Sequence, residues 1–305
     1  PPPARDTIPA SWSTRTGRRS MGRIGRSWEL IGQSITILKS DMELMWLPIF
    51  SAISCVLVSI FIFSGGALFF LPEFRALRAA GPGPHQMPIH SGMWFWLFLF
   101  YLGNYFVVVF FNVALVSIAA NRLGGGQATL NDGLQAAWER KGVIFQWALL
   151  AATVGVILRA IEERVGWIGR LVIGFIGIAW SLATFFVVPI LAFENLGPVE
   201  ALYRSADLFK KAWGEQVAGG FSFGILFALL ALPGLLLPVL GQRAAGPSGA
   251  VAGTVLLGIY WLMLAIISAA AQGIFTAALY HYATTGEVAG GFRREQLAGA
   301  WQPKQ

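Results

Sequence analysis

His85 and His90 stand in the stretch GPGPHQMPIH with Met87 between them. Imidazole and thioether donors suit copper or zinc, so an external metal site is the first chemistry to weigh. Pro82, Pro84 and Pro88 deny the segment helical spacing, and two imidazoles do not complete a coordination shell. Glu162 and Glu163 could form a general acid–base pair. They lie between Arg159 and Arg164 with no nucleophile nearby in sequence, and read instead as a self-neutralised cluster in a turn. Glu194 ends an apolar run within AFENLGP, where Gly197 and Pro198 stop a helix. His281, between Tyr280 and Tyr282, is an interfacial anchor or a pH-sensing group. Cys55 is the single cysteine, so there is no disulfide framework, and it reads as a small packing residue. The expectation is a protein that is not an enzyme, with no catalytic, cofactor-binding or metal-binding residues and no cofactor.

What would have to position such groups is a set of apolar rods. Leu44 to Leu71, Met93 to Asn121, Leu171 to Phe193, Gln216 to Gln242 and Gly249 to Gly286 contain no Asp, Glu, Lys or Arg, and neither does Gly142 to Leu158, the shortest of the six and the third in chain order. A hydrocarbon core about 30 Å thick needs roughly 20 helical residues, with about 17 as the lower limit. A charge at the helix centre costs about 2.5–3.5 kcal/mol even on the lenient insertion scale, which explains the gaps in charge. The whole chain is 56% hydrophobic and 12% charged, with a mean hydropathy of +0.64. A porin-like barrel would alternate apolar and polar residues and is excluded.

Lys and Arg set the orientation. Sixteen of the 22 fall on one side of these runs, among them Arg122, Arg140, Lys141, Arg204, Lys210 and Lys211. Arg75, Arg78, Arg159, Arg164, Arg170 and Arg243 fall on the other. The positive-inside bias then puts both termini in the cytoplasm. Residues 1–20, rich in Pro, Arg, Ser and Thr, read as a disordered or upstream extension, with Met21 as the natural start. Residues 21–305 read as one integral membrane domain.

Before the first, third and fifth runs lies an amphipathic segment. Ile24, Trp28, Ile31, Ile35, Leu38 and Met42 share one helical face. Leu130, Leu134, Ala137 and Trp138 do so in the second segment, with Asn131 or Asp132 as the expected cap. In the third, Val199, Leu202, Tyr203, Ala206, Phe209 and Trp213 oppose Arg204, Asp207, Lys210 and Lys211. Such helices either lie in the cytoplasmic interface or pack on the end of the bundle. The even-numbered runs end alike, as FFNVAL (Phe110 to Leu115), FFVVPI (Phe185 to Ile190) and IFTAAL (Ile274 to Leu279). The predicted fold is therefore all-α: a polytopic membrane protein of six transmembrane helices in three hairpins, each preceded by a cytoplasmic interfacial amphipathic helix. Its repeat units are 21–121, 127–194 and 198–286.

The stretch MGRIGRSWELIGQSITILKSDMELMWL at Met21 to Leu47, EALYRSADLFKKAWGE at Glu200 to Glu215 and ALYHYATTGE ending at Glu287 resemble DUF6159, a family of bacterial integral membrane proteins of unknown function. More distantly, the pattern is similar to glycerophosphodiester phosphodiesterase membrane-domain proteins, without their catalytic domain. The resemblance implies a helical fold and the bacterial inner membrane, with no assigned activity.

Asn104, Asn112, Gln146, Ser181, Thr184 and Gln272 are uncharged polar residues inside runs, able either to bond between helices or to line a wet path. Pro48, Pro189, Pro233 and Pro238 are candidate kinks. Small residues at every fourth position in Gly249–Gly253, Ala265–Ala269–Gly273–Ala277 and Gly177–Ser181 predict close packing between helices. Trp46, Trp94, Trp96, Trp147, Trp167 and Trp213 fall at predicted interfaces, and Trp180 and Trp261 at core depth. The expected function is a membrane scaffold or assembly factor on the cytoplasmic leaflet; a small-solute permease or channel is the alternative. Expected partners are membrane lipids and other membrane proteins or a second copy, with no nucleic acid, since topology already accounts for the basic residues.

Overall fold

The computed structural model describes residues 42–72, 75, 91–213 and 227–285. Every regular element among them is helical: a 3-10 turn at Met42–Met45, then α1 (Trp46–Phe69), α2 (Ser91–Leu123), α3 (Leu130–Glu139), α4 (Lys141–Glu162), α5 (Trp167–Ala183), α6 (Val187–Phe193) and α7 (Pro198–Trp213), a second 3-10 turn at Leu232–Leu235, and α8 (Leu236–Thr285). Five stretches are long and apolar enough to cross a membrane: Met42–Phe69, Gly92–Leu123, Lys141–Glu162, Trp167–Phe193 and Phe227–Thr285. The extension at 1–20, the first amphipathic segment up to residue 41, the segment with His85 and His90, the start of the fifth run at 216–226 and residues 286–305 lie outside the described residues.

The count of five arises because the fifth and sixth runs share one 59-residue stretch. That stretch is not one rod. Ala245 and Gly246 leave helical geometry, Gly246 at φ 63° in the left-handed region that disfavours a side chain, and Pro247 follows. The chain then doubles back on itself. A Cβ on Gly249 would stand 2.0 Å from the Gly241 carbonyl oxygen, and one on Gly253 2.3 Å from that of Leu237, so only glycine permits the approach. Farther from the bend the Tyr260 hydroxyl donates to the Leu230 carbonyl and Trp261 Nε1 to that of Ala231. The Gly249–Gly253 row thus packs within the chain, as its spacing predicts.

α2 is the axis of the bundle. At about 1.5 Å per residue its 33 residues run about 50 Å, and it packs against α1, α3, α4, α6 and α8. Trp96 lies across Gly65 and Gly66 of α1, and Leu115 seats against Gly273 of α8. The largest fully buried side chains, among them Leu44, Leu47, Leu115, Ile118, Ile144, Phe186, Ile190 and Ile274, all belong to one half of the bundle. In the other half the helices show their apolar faces outward. α5 has no buried residue at all, and Phe61, Leu68, Trp167, Phe175, Val251 and Leu262 are exposed. A soluble monomer rarely exposes contiguous apolar patches beyond a few hundred Å², so this surface fits a chain that sits in lipid.

Several expectations are corrected. The fourth run is two helices, α5 and α6, separated at residues 184–186. Pro189 explains the break, because its ring would collide with the carbonyl of Phe185 in a continuous helix and it has no N–H to give. α3 is capped by Thr129 and not by Asn131 or Asp132; Asp132 closes a capping box from the third helical position, its carboxylate accepting from the Thr129 N–H at 2.8 Å. Trp147 is buried and stacked on Trp180, ring centroids 6.0 Å apart, whereas Trp261 is exposed. Ala265 and Ala269 face outward while Gly273 and Ala277 pack inward, and a Cβ on Gly177 would meet open space. α7 buries Ala201, Ser205 and Leu208, a face rotated from the predicted stripe, of which Val199 and Tyr203 are exposed.

Candidate functional site

The half of the bundle that holds the core ends in a polar girdle. Two positions in it follow from local sequence. Glu194 is the residue that closes α6, placed there because the chain must turn extended before Gly197 and Pro198 start α7. Arg204 lies in the second turn of α7. Arg204 Nε donates to Glu194 Oε1 at 3.2 Å and Oε2 at 3.3 Å. Tyr280 Oη, arriving from α8, donates to Glu194 Oε1 at 2.9 Å, its ring stacked on Phe193 at 5.8 Å. Arg140, at the junction of α3 and α4, donates to the Glu194 carbonyl at 3.2 Å and to Asn195 Oδ1 at 3.4 Å. One residue thereby gathers the α3–α4 junction, α6, α7 and α8.

Beside it Ser205, fully buried, accepts the Phe186 N–H at 2.9 Å. That donor is freed by the break between α5 and α6, so the helix that docks also satisfies the backbone of the helix it docks on. A second clasp joins the 3-10 turn at Met42–Met45 to α2. Arg122 donates to Glu43 Oε2 at 3.1 Å and to the Ala128 carbonyl at 2.9 Å. Asn121 Oδ1 accepts the Ala128 N–H at 3.1 Å, tying down the Gly124–Gly126 turn. Asp132 at the start of α3 accepts from the Thr129 backbone N–H and hydroxyl, which hold its carboxyl below the ordinary value.

Chemically the girdle is a set of ion pairs and caps. Glu194 is engaged by a guanidinium and a phenol, both of which donate to its carboxyl oxygens. Among the described residues no group of three or more His, Cys, Asp and Glu is placed to hold a metal. Glu162 and Glu163 are both paired to Arg159, at 3.3 and 3.2 Å. His281 is exposed, and Cys55 is half-buried in α1. Three of the six polar residues inside runs bond to their own helix: Asn104 Nδ2 donates to the Phe100 carbonyl, Ser181 to Gly177 and Thr184 to Trp180, while Asn112 is half-buried. Gln146 and Gln272 are exposed.

A family profile described as "Family of unknown function (DUF6159)" matches residues 92–291, about two thirds of the chain. The chain belongs to DUF6159. The match takes in α2 to α8 and the girdle around Glu194, including the Glu200 to Glu215 stretch and the whole segment ending at Glu287, but not Met21 to Leu47. No curated protein and no solved structure matches the chain. Membership therefore brings a family without an activity, and the girdle of this DUF6159 chain rests on its geometry alone. Sequence reading missed the girdle as a unit. Its signals were present separately: a lone Glu after an apolar run, an Arg in the next amphipathic segment and a Tyr near the end of the last run.

Proposed function

We propose that the protein is a non-enzymatic scaffold or assembly factor of the bacterial inner membrane, six-spanning, with both termini cytoplasmic. The observation that carries this reading is the apolar core where Val113 to Leu115, Val187 to Ile190 and Ile274 to Leu279 meet, in helices α2, α6 and α8 that pack on one another. These segments belong to the three similar hexapeptides, which supports a threefold internal repeat. The doubling back at Gly246 supports counting Phe227–Thr285 as two spans and the molecule as three hairpins. α3 and α7 each dock on the hexapeptide that precedes them, Gly133 of α3 against Ala114 and Ile118, and Ser205 of α7 against Phe186. Trp138, Val199 and Tyr203 are left exposed, which supports apolar contact with the cytoplasmic leaflet.

Transport would need a polar path through the membrane, and of the polar side chains within the helices Asn104, Ser181 and Thr184 are bonded to their own backbone. The partners of such a scaffold are membrane lipids and another membrane protein or a second copy. Mild-detergent purification from the native host, with identification of co-purifying proteins, tests the proposal: one stoichiometric companion supports it. Solute flux through proteoliposomes of the purified chain overturns it.

A further inference from the structure

An open groove of about 630 Å³ runs along α2 between α1 and α4, a volume inside the range of about 300–1,000 Å³ typical of ligand sites. Leu99, Leu102 and Phe106 make its floor at helical spacing, Leu57 and Phe61 stand along α1, and Phe145 lies at α4. Every lining residue is apolar, so water would find no partner there. Phe145 meets Phe106 edge to face, centroids 6.2 Å apart.

Charge breaks the symmetry of this trough. Lys141 lies four residues before Phe145, on the same face of α4 and about one turn, 5.4 Å, toward the polar girdle. It is exposed, with Nζ 4.0 Å from the centroid of the Trp138 ring, itself exposed. No carboxylate pairs with Lys141 among the described residues; Glu139 beside it is engaged by Gln135. An apolar trough with a cation and an indole at one end is complementary to an anion that carries a hydrocarbon chain.

The geometry points to a binding site for an anionic phospholipid, its acyl chain in the groove between α1 and α4 and its phosphate at Lys141 beside Trp138. This deepens the scaffold reading by naming a lipid partner, and it rests on that reading only in that the groove faces lipid. The test is native mass spectrometry of the full chain in mild detergent, titrated with phosphatidylglycerol and phosphatidylcholine of the same acyl composition. Phosphatidylglycerol should be retained about fivefold better, the gain of one lysine at an anionic headgroup. Lys141→Ala should bring it down to the level of phosphatidylcholine, while Arg164→Ala should not. Leu102→Trp, and Phe61→Trp at an exposed position that tolerates bulk, should lower retention of both lipids. Equal retention of the two lipids, an unchanged preference in Lys141→Ala, or unchanged retention in Phe61→Trp overturns the site. So does a dimer without lipid that Phe61→Trp dissociates. The readout uses neither topology nor partner capture, so it stands or falls apart from the scaffold proposal.

Discussion

Ser205 shows how one hydroxyl can decide a local fold. It lies on α7 yet completes the backbone of a different segment, accepting the Phe186 N–H where the helix is broken before Pro189. Ser205→Ala leaves that buried donor unmatched, a cost of about 1–3 kcal/mol, and the expected outcome is a lowered thermal midpoint in detergent. Ser181→Ala is the control; its hydroxyl bonds within its own exposed helix face, and no comparable loss is expected. At Glu194 the pair with Arg204 is partly exposed, the two side chains retaining 23% and 38% exposure, so Glu194→Gln should cost no more than about 1 kcal/mol. Glu194→Ala, which also strands the Tyr280 hydroxyl, should cost more in the same melts. The Arg159–Glu162–Glu163 cluster was legible in sequence because its members are three and four residues apart. The girdle was not, since Glu194 and Tyr280 come from segments 86 positions apart.

Helices α3 and α8 carry the predictions that belong to elements. The folded carboxyl of Asp132 lies below its unfolded value, so its share of α3 stability is present above the unfolded pKa, about 3.9. It is lost as pH falls through the lower folded value. Protection of the amides in the first turn of α3, measured against the unfolded-chain rate at each pH, should therefore hold from neutral pH down to about pH 4 and fall only below it. Asp132→Asn should remove that acid-dependent step. In α8, Gly249→Leu puts a side chain into the Gly241 backbone and should part the two arms, lowering the thermal midpoint in detergent, whereas Gly258→Leu, where a Cβ meets open space, should not. Sequence reading found the arms, because charge avoidance and the Gly249–Gly253 spacing are local signals. It also saw Pro189 as a candidate kink. The face α7 buries was misjudged, because Ala201 and Ser205 are chosen for close approach and hydrogen bonding, which hydropathy does not record.

Across the whole molecule, packing is uneven: a dry core joins the helices at the end that carries Arg122, Arg140 and Arg204, while at the other end apolar faces open outward. Lipid is the solvent in which that arrangement is stable, since helices satisfy their own backbone there and need no internal apolar filling. Composition and run length made the solvent legible from sequence. The convergence of the three hexapeptides in one core required the fold, because likeness between segments does not say that they touch. The central claim, a membrane body whose girdle faces the cytoplasm, is tested most directly by labelling single cysteines in a Cys55→Ala background with an impermeant thiol reagent. Gly125, Asn195 and Thr285 replaced by cysteine should react only from the cytoplasmic side of oriented vesicles, and Arg164 and Arg243 so replaced only from the outside. Labelling of positions 125 and 243 from the same side would contradict the account.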